Sequence, residues 1–136
     1  LGYPDRASER ALLAGEDRRG LVQRLPPVMR GEELLAAQQQ VLAVHASDAL
    51  LDYVQALIAA SRSGRWFVDG LSPRAGIALL RAARARALLD GRDYAAPDDV
   101  QAVLPQCVAH RLVPAAGAGR GRVEQVRAMM EAVGLP

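Results

Sequence analysis

Residues 70–91 read Gly70-Leu71-Ser72-Pro73-Arg74-Ala75-Gly76-Ile77-Ala78-Leu79-Leu80-Arg81-Ala82-Ala83-Arg84-Ala85-Arg86-Ala87-Leu88-Leu89-Asp90-Gly91, and this stretch decides the fold. Ser72 is a capping hydroxyl, Pro73 is the residue favoured at the first helical position, and Gly91 is the residue that best closes a helix. The spacing predicts one helix running to about Asp90. Ile77, Leu79, Leu80, Leu88 and Leu89, with alanine between them, leave little polar surface around it. It is therefore expected at the centre of the domain.

Downstream, Pro97 opens a further helix with Asp98 and Asp99 in its first turn, where carboxylates suit the positive end of the helix dipole. Pro105 is expected to kink or split that helix before it resumes towards His110 and Leu112. Upstream, Ser47 reads as the cap of a helix in which Leu50, Leu51, Val54, Leu57 and Ile58 repeat at helical spacing, ended by Ser61-Arg62-Ser63-Gly64. Gly31 to about Ala43 is predicted helical, with Leu34, Leu35, Gln38, Val41 and Leu42 on one buried face. Asp5 caps a first helix to about Ala14, and Gly15 stops it. From Gly15 to Arg30 the chain reads as loose, Pro26-Pro27 forbidding helix there. Ala115 to Gly121 reads as a flexible joint before a short helix from about Val123 to Val133. The expected organisation is all-α: a small bundle of about five to six helices over residues 1–114, then a joint and a terminal helix over 115–136.

Composition bounds the chemistry. With 136 residues the chain has the length of one compact domain and is short for a complete nucleotide-driven machine. A content of 51% hydrophobic and 24% charged residues is that of a soluble globular domain. Neither a bilayer-length apolar run nor a leader is legible, so a cytoplasmic setting is the expectation. All 17 basic residues are arginine. Without lysine the chain cannot supply a phosphate-binding GxxxxGK[ST] loop, nor Schiff-base or lysine-base chemistry. The 15 acidic residues leave a net charge of only +2, a weak footprint for nucleic acid. Cys107 is the single cysteine and has no internal disulfide partner, in keeping with a reducing compartment.

Arg74 is the first candidate functional residue. It lies in the first turn of the helix that Ser72 and Pro73 start, where a cation opposes the helix dipole by about 0.3–1 kcal/mol and a bound anion reverses that sign. Free amides at such a terminus favour phosphate, and a guanidinium adds a bidentate contact. The plain alternative is an exposed arginine in an arginine-rich chain. Cys107 and His110 are spaced i, i+3 as two ligands of a metal would be, or else are a buried thiol and a histidine near a helix end. Asp98 and Asp99 read as an acid/base pair or as electrostatic caps. Arg81, Arg84 and Arg86 spread around their helix instead of forming one stripe. Trp66 and Phe67 either cover the domain's own core or belong to a docking surface.

Taken together, Gly70-Leu71-Ser72-Pro73-Arg74-Ala75, Leu79-Leu80, Gly91-Arg92-Asp93-Tyr94, Pro97-Asp98-Asp99-Val100 and Ala109-His110-Arg111-Leu112 resemble the C-terminal lid of a MoxR-type AAA+ ATPase. Leu1-Gly2-Tyr3-Pro4 resembles the join between ATPase core and lid in that family, and Leu25-Pro26-Pro27-Val28 and the Gln38-to-Val44 stretch also fit. The resemblance implies that Arg74 is the sensor 2 arginine, contacting the γ-phosphate of ATP from the lid, with Ser72, Pro73 and Ile77 beside the nucleotide. It implies a P-loop core, outside this chain, that holds the ATP and its Mg, so that this chain alone is inactive. It also implies a ring-forming, chaperone-like parent acting with neighbouring subunits and a von Willebrand factor A-type partner. Two positions depart from the family pattern: Arg30-Gly31 stands where a serine or aspartate cap is expected, and Ala96 where threonine or serine is common. Poor capping is expected at both. The Gly64-to-Asp69 loop, carrying Trp66 and Phe67, is also unlike the polar loop expected of the family. The rival classes are a basic helical DNA-binding module, which needs an exposed arginine stripe, and a helical adaptor without a nucleotide role, which an internally paired Arg74 would favour.

Overall fold

The computed structural model describes residues 2–15, 18–115 and 121–135; Leu1 of the expected join and the expected joint at 116–120 lie outside the described residues. The chain divides into two compact units, Leu1–Leu34 and Leu35–Pro136.

In the first unit, α1 (Arg6–Ala14) starts as the sequence predicts, Asp5 Oδ1 accepting a hydrogen bond from Ser8 N–H at 2.8 Å, and is followed by Gly15. A second helix, α2 (Arg18–Arg24), occupies the stretch expected to be loose. The diproline constrains only itself and the residue before it, Leu25, so the seven residues upstream remain free to coil. This helix brings the total among the described residues to seven.

Helix α3 (Gly31–Ala43) has the expected bounds but not the expected burial: it contributes no core residue, and Leu34, Leu35 and Leu42 are exposed. Periodicity marks an apolar face without supplying a neighbour to cover it. The weak cap at Arg30-Gly31 is repaired from within the helix, the Arg30 N–H donating to Glu33 Oε2 at 2.7 Å. This is half of a capping box, contributed by the third helical residue.

The core of the second unit is built by α4 (Asp48–Ser61), α5 (Pro73–Leu89), α6 (Pro97–Val108) and α7 (Arg122–Ala132). Ser47 caps α4 through Leu50 N–H at 3.2 Å. The buried residues of α4 are Leu50, Tyr53, Val54, Leu57 and Ser61, whereas Leu51 is exposed. Helix α5 is packed as expected against both α4 and α6, but its buried ridge is Ala75, Leu79, Ala83 and Ala87 at four-residue spacing, with Gly76 beside it. Ile77 and Leu89 point outward, being 56% and 87% exposed. Small residues permit close helix approach, so apart from Leu79 the residues that α5 buries are alanine and glycine.

Helix α6 runs through Pro105 without splitting; Pro105 is buried, and the backbone tightens into a 3-10 turn only at Ala109–Arg111. One lost N–H does not break a helix whose apolar face, Val100, Leu104 and Val108, is fully buried on both sides of the proline. The Phe67 and Pro114 backbones pair, and Val68 N–H donates to Val113 C=O at 2.9 Å. Helix α7 packs on α4 and α6, with Val126 and Met129 in the core, and Gln125 Nε2 donates to the Trp66 carbonyl at 3.2 Å. Among the described residues no helix is long and apolar enough to cross a membrane.

Candidate functional site

The start of α5 is built from its sequence as expected. Ser72 is extended, with φ −76° and ψ 160°, and its Oγ accepts from Ala75 N–H at 3.3 Å. Its carbonyl accepts from the N–H groups of Ala75 and Gly76. Pro73 has no N–H to satisfy. The one amide of the first turn left over is that of Arg74. Neither this amide nor the Arg74 guanidinium makes a hydrogen bond or ion pair among the described residues. Ser72, Pro73 and Arg74 are all exposed, and Ile77 lies one turn on from Arg74 on the same face. The four residues named from the sequence are thus brought together, with one distinction: the Ser72 hydroxyl is committed to the cap. What faces outward is a free amide and a free guanidinium on one residue, an arrangement suited to an anion.

Three contacts from the last turn of α4 and its cap residue Arg62 hold the backbone on either side of Arg74. Buried Ser61 donates from Oγ to the Ile58 carbonyl at 2.6 Å and accepts from Leu71 N–H at 2.9 Å. Arg62 Nε donates to the Leu71 carbonyl at 2.8 Å. Gly76 meets Ile58 so closely that a Cβ there would collide with its terminal methyl. Sequence reading saw Ser61 and Arg62 only as a helix end; the overlooked signal is that Ser61 falls one turn after Leu57 on the buried face. Gly70 completes the clamp, since a Cβ on it would lie 2.7 Å from Arg62 Cα and 2.9 Å from Arg62 N. Gly70→Ala is therefore expected to lower stability by about 2 kcal/mol, as overpacking against backbone does, whereas Gly2→Ala, with open space around it, has no effect. Chemical denaturation of the two variants checks this.

Asp99 is more than the cap expected of it. It accepts from Ala96 N–H at 2.9 Å, which repairs the second weak helix start, and it is only 1% exposed. Arg92 grips it with two hydrogen bonds of 2.6 and 2.7 Å, and Arg86 Nε lies 3.5 Å away. The hydrogen bonds from Arg92 hold the Asp99 carboxyl below its ordinary value against an opposing desolvation cost. Asp98 has no part in this grip.

Cys107 is half-buried and burial raises its pKa, while His110 is exposed and accepts from Arg111 Nε at 3.1 Å. Among the described residues no group of three His, Cys, Asp or Glu is placed to hold a metal. Phe67 is fully buried and belongs to the core; Trp66 packs against that core with the Arg65 guanidinium 4.6 Å above its ring. Arg81 is exposed, Arg84 is half-buried and Arg86 turns towards Asp99, so α5 presents no arginine stripe.

Comparison with known proteins agrees with this architecture. A profile of the AAA lid domain matches residues 59–131. The uncharacterized protein YeaC of Bacillus subtilis (strain 168) is 34% identical over 139 residues, which cover 100% of this chain and 43% of that protein. Chaperone MoxR1 of Mycobacterium tuberculosis is 34% identical over 126 residues, covering 83% of this chain and 32% of its own length. A protein of Cytophaga hutchinsonii with a known crystal structure shares the fold, with a TM-score of 0.77 and 24% identity over 100% of this chain and 45% of that one. The chain thus spans less than half the length of each of these relatives. A bundle of this order, matched by the family profile over more than half of its residues, identifies the chain as a member of the AAA lid domain family, of the MoxR type.

Proposed function

We propose that this lid closes over ATP held by the P-loop core of a parent ATPase, with Arg74 as its sensor 2 residue. The observation that carries the reading is the exposed Arg74, without a partner among the described residues, beside its own free amide at the start of α5. A charge placed against the helix dipole is relieved when an anion arrives. The residues that fit ATP are few: Arg74 for the γ-phosphate and Ile77 as an apolar neighbour. Ser72 serves by capping the helix. Bound in the core, ATP with its Mg supplies the phosphoryl group; the lid contributes charge and closure but no P-loop lysine. Closure sets the angle between core and lid, and through it the position of neighbouring subunits in a ring. That motion drives chaperone-like assembly or maturation of protein complexes, together with a von Willebrand factor A-type partner in the cytoplasm.

The experiment compares ATP turnover by the 136-residue chain and by the parent protein. The chain alone is expected to show none, since 17 arginines and no lysine leave it without the P-loop cation. The parent is expected to hydrolyse ATP. Turnover by the isolated chain, or a parent without a P-loop, overturns the reading.

A further inference from the structure

We infer that Ser61 and Arg62 are positioning residues for Arg74: the last turn of α4 sets where the sensor guanidinium stands. This rests on the sensor reading above. Arg74 has no contact of its own that fixes its place among the described residues. The direction in which it projects is therefore set by its backbone, and that backbone is held on both sides by one turn of one neighbouring helix. Before Arg74, both hydrogen-bonding groups of Leu71 are taken by α4, its N–H by Ser61 Oγ at 2.9 Å and its carbonyl by Arg62 Nε at 2.8 Å. After Arg74, Gly76 is seated against Ile58, the residue whose carbonyl accepts the Ser61 hydroxyl at 2.6 Å. Gly70 lacks the Cβ that would push this segment off the Arg62 backbone.

Side-chain hydrogen bonds to a peptide group of a connecting loop define its position more tightly than apolar packing, which tolerates sliding. A buried hydroxyl that both donates and accepts leaves no lone freedom to the loop it holds. The result is a fixed base beneath a free charge. Such a base matters most to a group that must meet a phosphate at one distance, because a displacement of about 1 Å can cost up to a hundredfold in rate. The Trp66-Phe67 part of the same loop is secured separately, through the Phe67–Pro114 pairing and Gln125, so the α4 clamp acts on the Leu71 end.

The test uses the parent ATPase with Ser61→Ala, Arg62→Met and Arg74→Ala, singly and in pairs. Ser61→Ala and Arg62→Met are each expected to lower ATP turnover about five- to tenfold while leaving ADP affinity within about twofold. Combined with Arg74→Ala, neither is expected to add a further loss, because both act through the residue already removed. Should the Ser61 variant fail to fold, the Arg62 variant, altered at an exposed side chain, carries the test alone. Losses that multiply with that of Arg74→Ala, or that fall equally on ADP binding, overturn the inference and make the clamp purely structural. Normal turnover in both clamp variants, where Arg74→Ala is impaired, also overturns it. An Arg74→Ala enzyme with normal turnover overturns the sensor reading instead.

Discussion

Replacing Arg74 by alanine is expected to cut ATP turnover of the parent protein by about ten- to a hundredfold while leaving the melting of this chain unchanged or slightly raised. The two halves of this result have opposite origins. In the lid alone, the guanidinium has no partner among the described residues and stands at the positive end of α5, so its removal relieves a small repulsion. In the closed enzyme the same group is expected to make a charge-assisted contact with the γ-phosphate, of which roughly 1.5–3 kcal/mol is lost on truncation. ADP lacks that phosphate and its binding should change much less. The measurement pairs thermal melting of the chain with ATP and ADP titrations and turnover of the parent. A clear loss of lid stability with normal turnover would make Arg74 a structural residue.

Much of this architecture was legible because helix boundaries are written in local chemistry. Asp5, Ser47 and Ser72 each accept the amide three residues on, as their positions before apolar-periodic runs predict. Burial was legible less often, because periodicity reports which face is apolar and not which face is covered. On α3 the stripe of Leu34, Leu35 and Leu42 is left exposed, and on α5 alanine and glycine are buried while Ile77 and Leu89 are not. The choice between faces is made by how closely α4 and α6 approach, a tertiary fact that propensity does not contain. Helix α2 is not legible because two prolines suggest a reach that their sterics do not have.

The site divides in the same way. Arg74 could be found from sequence because its chemistry depends on a local position, the first turn after a serine cap and a proline. Its supporting clamp could not, because Ser61 and Leu71 are ten positions apart and meet only through the packing of α4 against α5. Arg92 and Asp99 were likewise visible as parts of two motifs, without any sign that the motifs close on one another. Across both unlike-family positions, Arg30-Gly31 and Ala96, the missing cap side chain is replaced by an acid three residues later, Glu33 or Asp99. The capping box works from either end.

Asp99→Asn is expected to produce the largest loss of stability, about 3 kcal/mol, because it leaves Arg92 facing an amide in a site built for a carboxylate. For a domain of this size that corresponds to a fall in melting temperature on the order of 10 °C. The position explains the magnitude: Asp99 joins the end of α5, through Arg86 and Arg92, to the start of α6, and these two helices share the most extensive helix contact among the described residues. The same pair fixes the acid response. In the folded state the Asp99 pKa is lowered from 3.8, chiefly by the Arg92 hydrogen bonds. A carboxylate with a depressed folded pKa contributes stability that is present above its unfolded value and is lost as the pH falls through the folded one. The contribution of Asp99 should therefore be complete at neutral pH and decline only below about pH 4. Asp99→Asn should melt lower than the unaltered chain at pH 7, and the gap between them should narrow as acid protonates Asp99 in the latter. Arg92→Met, by removing the main cause of the depression, should shrink this acid-dependent loss, its onset staying at the unfolded value. Melting curves of the three chains from pH 7 down to about pH 2 decide the matter. A constant gap across that range would show that Asp99 stabilises the lid by its shape and not by its charge.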